Sequence, residues 1–549
     1  MALLPETTEK EWIRQAEYLK ANITPEIIDN ALLAFPEEVR DETMALIKKN
    51  LLSRLASIAD TAKEYYFILN KFAVVTGTDK DDWFVIESLH TDEINIKAYR
   101  NIKDNKKKLF FDKTFHKNTT KEIWVYGLDD DDIFEVKGQQ NNSIKVRLVG
   151  GQNNDIYDIN AAKKISVYDY KSQKNTLKNV SGVKVKLIDD YEVNTYHPFK
   201  MRRNLNQILP TIGYNPDDGI RLGFVNTYTQ NGFRQNPFKA QHVVSASYYF
   251  ATSGYDFSYV GEFAHVLENW NLELAMRFTS PNFATNFFGF GNDTDNFDDD
   301  LGFDFNRVRL ETINFTPSMV WRGRMGAKFS AGLFIESIEV EETSDRFIND
   351  FYQRNNEETR KSFVGSEIAY SYENKDNNAF PTMGMATSLQ VGYKKQIGED
   401  QNGFVYVIPS VSFDYKLIPS GSLVLATKWK AHFNTGEAFE FYQAASIGGV
   451  DGLRGYRNQR FTGKSAYYQN TDLRFSLGKK RTSILPIATG FFTGFDYGKV
   501  WFPNIGSNTW HTSYGAGFFL NAADLLSANL ALFNSEDGTR FSFGLGFRF

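Results

Sequence analysis

Over residues 1–75 the apolar positions recur at the helical period, and from about residue 82 onward they recur at every second position, so two kinds of structure are joined in one chain. Trp12, Ala16 and Leu19 fall on one face of a first predicted helix. Thr24, Pro25 and Glu26 open a second, because a Thr N-cap followed by Pro suits a helix start, and Ile27, Ala31 and Leu32 form its apolar stripe. A single long third helix is predicted from about residue 38 to 72, carrying Met44, Ile47, Leu51, Leu55, Ile58, Ala62 and Tyr65. Its stripe must be covered, either by packing as a small helical segment on the next domain or by lying on a membrane surface.

Residues 76–204 are predicted to form a soluble, periplasmic β domain, with alternation over 95–98, 143–149 and 183–188 and polar turns between. It contains an internal repeat: Gly127 leading to Asp132-Ile133-Phe134-Glu135-Val136 recurs 23 positions later as Gly150 leading to Asp155-Ile156-Tyr157-Asp158-Ile159. The two copies are expected to make equivalent turns. The second, GGQNNDIYD, resembles the calcium-binding nonapeptide repeat of RTX β-rolls, with Asn153 where that pattern has a third Gly. The resemblance implies Asp132 and Asp155 as calcium ligands. Stacked nonapeptides share each ion between adjacent turns, which a spacing of 23 breaks, and the other reading makes both residues plain Asx turns.

Residues 205–549 read as an antiparallel transmembrane β-barrel of about 16 strands. Short connections such as Arg322-Gly323-Arg324 and Pro419-Ser420-Gly421 alternate with long polar ones such as 292–304 and 343–360, as small turns at one rim and large loops at the other would. The last strand shows the pattern most clearly. Phe541, Phe543, Leu545, Phe547 and Phe549 share one face, and Arg540, Ser542, Gly544, Gly546 and Arg548 share the other. An aromatic lipid face opposite a polar, small-residue lumen face is expected of a membrane strand. Ending on Phe resembles the C-terminal signal by which bacterial barrels are recognised for assembly, which implies that role for Phe543, Leu545, Phe547 and Phe549.

Composition agrees. Aromatic residues make up 15% of the 549, there are 40 Gly against 14 Pro, and a mean hydropathy of -0.41 excludes a bundle of membrane helices, as does the lack of any run of ~18 apolar residues. The absence of Cys removes disulfides, thiolate metal sites and Cys nucleophiles. A net charge of -5 gives no basic surface for nucleic acid. None of the seven His pairs at metal-ligand spacing, and no GxSxG elbow occurs, so no catalytic site is recognisable. The acidic stretch Asp293, Asp295, Asp298, Asp299, Asp300 reads as a solvated outer loop or a weak divalent-ion site. The start, MALLPETTEKEW, lacks a basic segment and an apolar core, so the sequence is read as a form that has lost its leader.

Near the C-terminus lies Ile447-Gly448-Gly449-Val450-Asp451-Gly452-Leu453-Arg454-Gly455-Tyr456-Arg457, followed by Asn470-Thr471-Asp472-Leu473-Arg474. This run resembles the inward-folded sixth outer loop of the BamA/TamA surface-antigen superfamily, whose core is an apolar residue, Arg-Gly, then Phe or Tyr. Leu453, Arg454, Gly455 and Tyr456 match it position by position. The resemblance implies that Arg454 reaches into the lumen and pairs with an acid on the thirteenth strand, in a segment ending Asp-x-Gly. Counting strands makes that strand 488–501, with Asp496 and Gly498 in place and Asp472 as a second acceptor. The chain departs from the family in having Asp where Glu is commoner at 472 and Gly494 where an aromatic stands two residues before the acid. A long loop tucked into a barrel needs an anchor, and a buried Arg with a carboxylate supplies directional, bidentate bonds.

The likeness covers about 205–549, and Tyr214-Asn215-Pro216-Asp217-Asp218-Gly219 resembles the barrel start of a Bacteroidota-type subgroup often fused to a metallophosphoesterase, whose metal-binding signatures are absent here. Nor do residues 76–200 read as POTRA modules. The resemblance implies a non-enzymatic protein of the cell outer membrane, without cofactor unless calcium binds. Its implied partners are the lipid bilayer and client proteins, in insertion, assembly or translocation. The alternative is a membrane anchor for a metallophosphoesterase domain absent from the chain. A passive diffusion pore is disfavoured by the anchored loop.

Overall fold

The computed structural model describes residues 7–547 apart from 103–105, 139–140, 161–162, 201, 324, 356, 378–379, 399–402, 437, 483–484 and 523–525. The chain forms two compact units, Met1–Met201 and Arg202–Phe549.

The first unit opens with helix α1, Glu9–Asn22, held by a capping box in which Thr8 and Glu11 satisfy each other's backbone N–H groups. Helix α2, Pro25–Leu33, starts as expected from Thr24, whose side chain accepts from the Ile27 N–H. The expected long third helix is instead two, α3 (Thr43–Ala56) and α4 (Ile58–Asn70), parted at Ser57 with φ -95° and ψ 5°. The break turns α4 back onto α1, where Trp12 packs on Tyr65 and Tyr66 with ring centroids 5.9 and 6.3 Å apart. A continuous helix would have carried both tyrosines away from that contact. Ser at the junction costs little, since its hydroxyl can turn back on the preceding carbonyls, here those of Ser53 and Arg54.

The β part of this unit is a two-sheet solenoid. One parallel sheet stacks Phe72–Thr76, Glu122–Leu128, Lys145–Gly151, Ile165–Asp169 and Lys184–Leu187; the other stacks Asp82–His90, Ile133–Gly138, Ile156–Ile159 and Thr176–Lys178. A hairpin, Glu93–Ile102 with Lys106–His116, adds antiparallel to the second sheet. Each coil contributes one strand to each sheet, and the 23-residue repeat is one such coil, since Ile133 faces Ile156 and Glu122 faces Lys145.

The core holds an aromatic stack. The rings of Phe84, Phe134 and Tyr157 lie 5.0 Å apart in sequence, at interplanar angles of 9° and 6°. Phe84 reveals a third copy of the repeat, Gly77-x4-Asp82-x-Phe84, which lies 50 residues before the next because the hairpin is inserted between them.

The second unit is a closed barrel of 16 antiparallel strands. The first is Leu205–Asn215, the second Gly219–Gln230 and the third Ala240–Tyr249; the eleventh is Leu423–Asn434 and the twelfth Ser465–Arg481. The thirteenth is Pro486–Trp501, then come His511–Ala522, Leu526–Ser535 and Gly538–Phe547. Alternation divides each strand between two environments. On the thirteenth, Phe491, Thr493 and Phe495 are exposed outward, and Phe492, Gly494 and Asp496 are buried inward, as expected. On the last strand Phe541 is exposed and Phe543 and Leu545 are half-buried; Phe547 belongs to the strand, and Phe549 lies outside the described residues.

Closure is uneven. Among the described residues the first and last strands share three residue pairs, Ile212–Leu545, Gly213–Gly544 and Tyr214–Phe543. Every other neighbouring pair of barrel strands shares nine or more among the described residues.

Candidate functional site

Residues 435–464, between the eleventh and twelfth strands, form a loop that packs into the barrel. It enters and leaves as a two-stranded ribbon, Ala445–Ile447 paired with Phe461–Gly463. Between the ribbon strands the chain turns at Gly448 and Gly452, with φ of 136° and 158°, and a Cβ on Gly452 would lie 2.2 Å from the Gly448 nitrogen. Leu453 and Tyr456 are fully buried in a cluster with Ile447, Phe461, Tyr468 and Val500. That cluster holds the loop rigid enough to aim its arginines.

Arg454 meets Asp496 in three ways. Its backbone N–H donates to Oδ2 at 3.0 Å, its Nε donates to Oδ1 at 3.1 Å, and its Nη2 donates to Oδ1 at 2.6 Å. Ser513, on the next strand, donates to Oδ2 at 2.9 Å, so the fully buried Asp496 carboxylate has a partner at each oxygen. Nη2 also lies 2.8 Å from Asp472 Oδ1, bringing the second expected acceptor into the same group.

Glycine at 494 has a steric reason. A Cβ there would stand 2.6 Å from Arg454 Nη2 and 2.7 Å from the Phe533 ring, and Phe533, from the fifteenth strand, supplies an aromatic face 4.1 Å from the guanidinium carbon. Gly455 and Gly498 allow close approach too: a Cβ would meet Ser513 Cβ at 2.7 Å in one case and the Tyr467 carbonyl at 2.7 Å in the other. Tyr456 donates its hydroxyl to Glu536, which also meets His511 Nδ1 at 2.7 Å, and the His511 ring stacks on Phe461 at 3.6 Å.

Two further arginines of this loop were not assigned from sequence. Arg457, fully buried, donates to Asp217 at 2.7 Å, Asn286 at 2.9 Å and Asp298 at 2.5 Å. Arg460 donates to Asp537 at 2.6 Å and to Thr294. The only available signal was their spacing, three and six positions after Arg454. Asp298, read from sequence as part of a solvated acidic stretch, is thus engaged with Arg457, and Asp293 accepts from Ser507 and Thr509. Beside the loop the lumen keeps a cavity of about 710 Å³, whose lining includes Glu336, Glu367, Lys394, Tyr406 and His432.

The seam has its own chemistry. In an antiparallel strand each residue points its N–H and C=O to one neighbour, and successive residues alternate. Phe250 donates to the Ile220 carbonyl, so even-numbered residues of the second strand face the third. With Asn215 opposite Gly219, the odd-numbered residues of the first strand face the second, and Ile208, Pro210, Ile212 and Tyr214 face the seam. Pro210 therefore lacks its N–H on the seam side, where pairing among the described residues stops at Ile212.

Asp132 and Asp155 belong to the first unit. Asp82 N–H donates to Asp132, Asp132 N–H to Asp155 and Asp155 N–H to Asn175, each at 2.8 Å, forming a ladder up one corner of the solenoid. Burial pushes the Asp132 carboxyl up to about 8; burial and then the neighbouring Asp169 push that of Asp155 up to about 9. Among the described residues no group of three or more His, Asp or Glu is placed to hold a metal ion.

Residues 267–549 match the family described as the Omp85 superfamily domain. The chain is similar to solved structures of low identity. BamA from Haemophilus ducreyi lacking POTRA domains 1–3 is 14% identical with a TM-score of 0.46, over 63% of this chain and 71% of that one. CdiB from Acinetobacter baumannii is 13% identical with a TM-score of 0.41, over 63% and 60%, and CdiB from Escherichia coli 12% with 0.42, over 65% and 69%. No curated protein matches the sequence.

Proposed function

The chain belongs to the Omp85 superfamily, and we propose that this outer-membrane barrel inserts, assembles or translocates other proteins by parting the seam between its first and last strands. The observation that carries the reading is the three-pair seam. In lipid a strand edge cannot satisfy its backbone with water, so a seam this short among the described residues is the place where an incoming strand can add. Pro210, opposite Phe547 by register, has no N–H to donate to the last strand and weakens the ladder there. The lumenal loop, fastened by Arg454, fits a plug better than it fits a pore.

On this reading the short-turn rim and the unit that precedes the barrel lie on the periplasmic side, where clients arrive, and the chain performs no catalytic step. The alternating aromatic end of the last strand, Phe543, Leu545, Phe547 and Phe549, acts as the barrel's own assembly signal.

A disulfide tests the reading, because the chain has no native Cys. Gly213 and Gly544 face each other as a non-hydrogen-bonded pair, the closer kind. Gly213→Cys with Gly544→Cys, oxidised in proteoliposomes, is expected to stop insertion of a client barrel, and reduction to restore it. Equal insertion in both states would remove the seam from the mechanism and favour the anchor for a metallophosphoesterase domain.

A further inference from the structure

We propose that Arg457 and Arg460 form a latch across the seam, so that the first and last strands can part only after this pair lets go. The inference rests on the seam reading above and names the residues that control it.

Arg454 cannot do this. Its partners, Asp472, Asp496, Ser513 by way of Asp496, and Phe533, lie on the twelfth to fifteenth strands, all on one side of the seam. That contact fastens the loop to the C-terminal part of the barrel and leaves the first strand free. Arg457 and Arg460, three residues apart, face opposite ways.

Arg457 holds the N-terminal side. Asp217 sits in the turn between the first and second strands, and its carboxylate accepts from Arg457 Nε at 2.7 Å, from the Asn458 backbone N–H at 2.9 Å and from Asn286 Nδ2 at 2.9 Å. Arg460 holds the C-terminal side: Asp537, its partner at 2.6 Å, sits in the turn between the fifteenth and sixteenth strands. Four residues of one loop thus connect the turns that flank the seam. The long 280–306 loop supports both ends. Asp298 accepts from Arg457 and lies 3.7 Å from Arg540 of the last strand, Phe303 lies 3.7 Å from the Arg457 guanidinium carbon, and Thr294 accepts twice from Arg460.

The latch stands where the seam is paired. Tyr214, the last paired residue of the first strand, is three positions before Asp217, and Phe543 is six after Asp537. Below Ile212 no ladder joins the described residues of the two strands. Both guanidiniums are buried, Arg457 completely and Arg460 at 4% exposure, so release strands a charge away from water. The latch therefore holds the seam shut even where the Arg454 contact is lost.

The test measures the seam in the full chain in nanodiscs, with spin labels on Tyr214→Cys and Phe543→Cys, which face each other across it. The parent should give one narrow distance. Arg457→Ala and Asp217→Asn should each add a population longer by more than about one strand spacing, ~4.8 Å, and Arg454→Ala should not. Folding is checked by retained compact mobility on unheated gels. Should Arg457→Ala fail to fold, Asp217→Asn keeps an acceptor for Asn458, and Asp537→Asn reads the other half. Folded variants with an unchanged distance overturn the latch, as does equal widening by Arg454→Ala. Widening at 457 or 217, with a seam disulfide that leaves insertion intact, would keep the latch and reject the insertion reading. A disulfide that blocks insertion, with no widening, would do the reverse.

Discussion

Phe533 lies against the guanidinium of Arg454, its ring centroid 4.1 Å from the central carbon, in space that a side chain at Gly494 would need. The aromatic that the related loops draw from the thirteenth strand comes here from the fifteenth. Gly494→Ala should push against Arg454 Nη2 and destabilise the folded barrel by about 1–3 kcal/mol. Phe533→Leu should lose a desolvated cation–π contact of roughly 0.5–2 kcal/mol. Heat-modifiability midpoints on gels measure both, and an unchanged midpoint for Gly494→Ala would show that the loop sits elsewhere.

Removing one partner of the Arg454–Asp496 pair should cost ~3–5 kcal/mol, because the other charge is left buried. In planar bilayers the wild type should be nearly closed, while Arg454→Ala and Asp496→Ala should both conduct in large, unstable steps. A steady open pore that neither change alters would mean that the loop does not plug the lumen.

The aspartate ladder gives the first unit a pH dependence. Asp132 and Asp155 are held at about 8 and about 9 when folded, above the unfolded value near ~3.9, so folding favours their neutral forms. The stability they contribute is fully present below pH ~4 and is lost as pH rises through 8 to 9. The groups facing them are Asp81, Asp82, Asp130, Asp169 and the Tyr157 hydroxyl, with Arg100 acting on Asp82. Asn175 occupies the next rung as a neutral amide, so Asp132→Asn and Asp155→Asn should keep the ladder. Both should flatten the pH dependence of amide exchange at residues 82, 132 and 155, after correction for intrinsic rates. Calcium should leave those rates unchanged if the ladder is purely structural; protection by calcium would make these residues ligands.

The glycines beneath the ladder are predicted to be irreplaceable. A Cβ on Gly127 would stand 2.0 Å from Asp132 Oδ2, and one on Gly150 1.9 Å from Asp155 Oδ2. Gly150→Ala should therefore speed exchange throughout the solenoid and leave barrel gel mobility unaltered, whereas loss of barrel folding would tie the two units together energetically.

Much of the site was legible because its signals are local. Leu453-Arg454-Gly455-Tyr456 is contiguous, and the parity that places Asp496 inward follows from period two alone. The partners of Arg457 and Arg460 were not legible. Asp217 is 240 positions from Arg457 and Asp537 is 77 from Arg460, and no periodicity links such pairs.

Pattern along the chain by itself determined the barrel, its approximate strand number and the inward face of Asp496, because a lipid face and a lumen force alternation residue by residue, whereas the pairing of Asp496 with Arg454 was implied by the resemblance. Only the tertiary structure decided which strands stack in the solenoid, since the hairpin hides the third repeat, and where the helix breaks, since Ser57 yields to the packing of Trp12 on Tyr65 and Tyr66. It also decided that closure is uneven among the described residues. Alternation reports which face a side chain takes, but the length of the seam depends on where two strands whose partners Tyr214 and Phe543 are 329 residues apart in sequence come into register, and on Pro210 turning its missing N–H toward that edge.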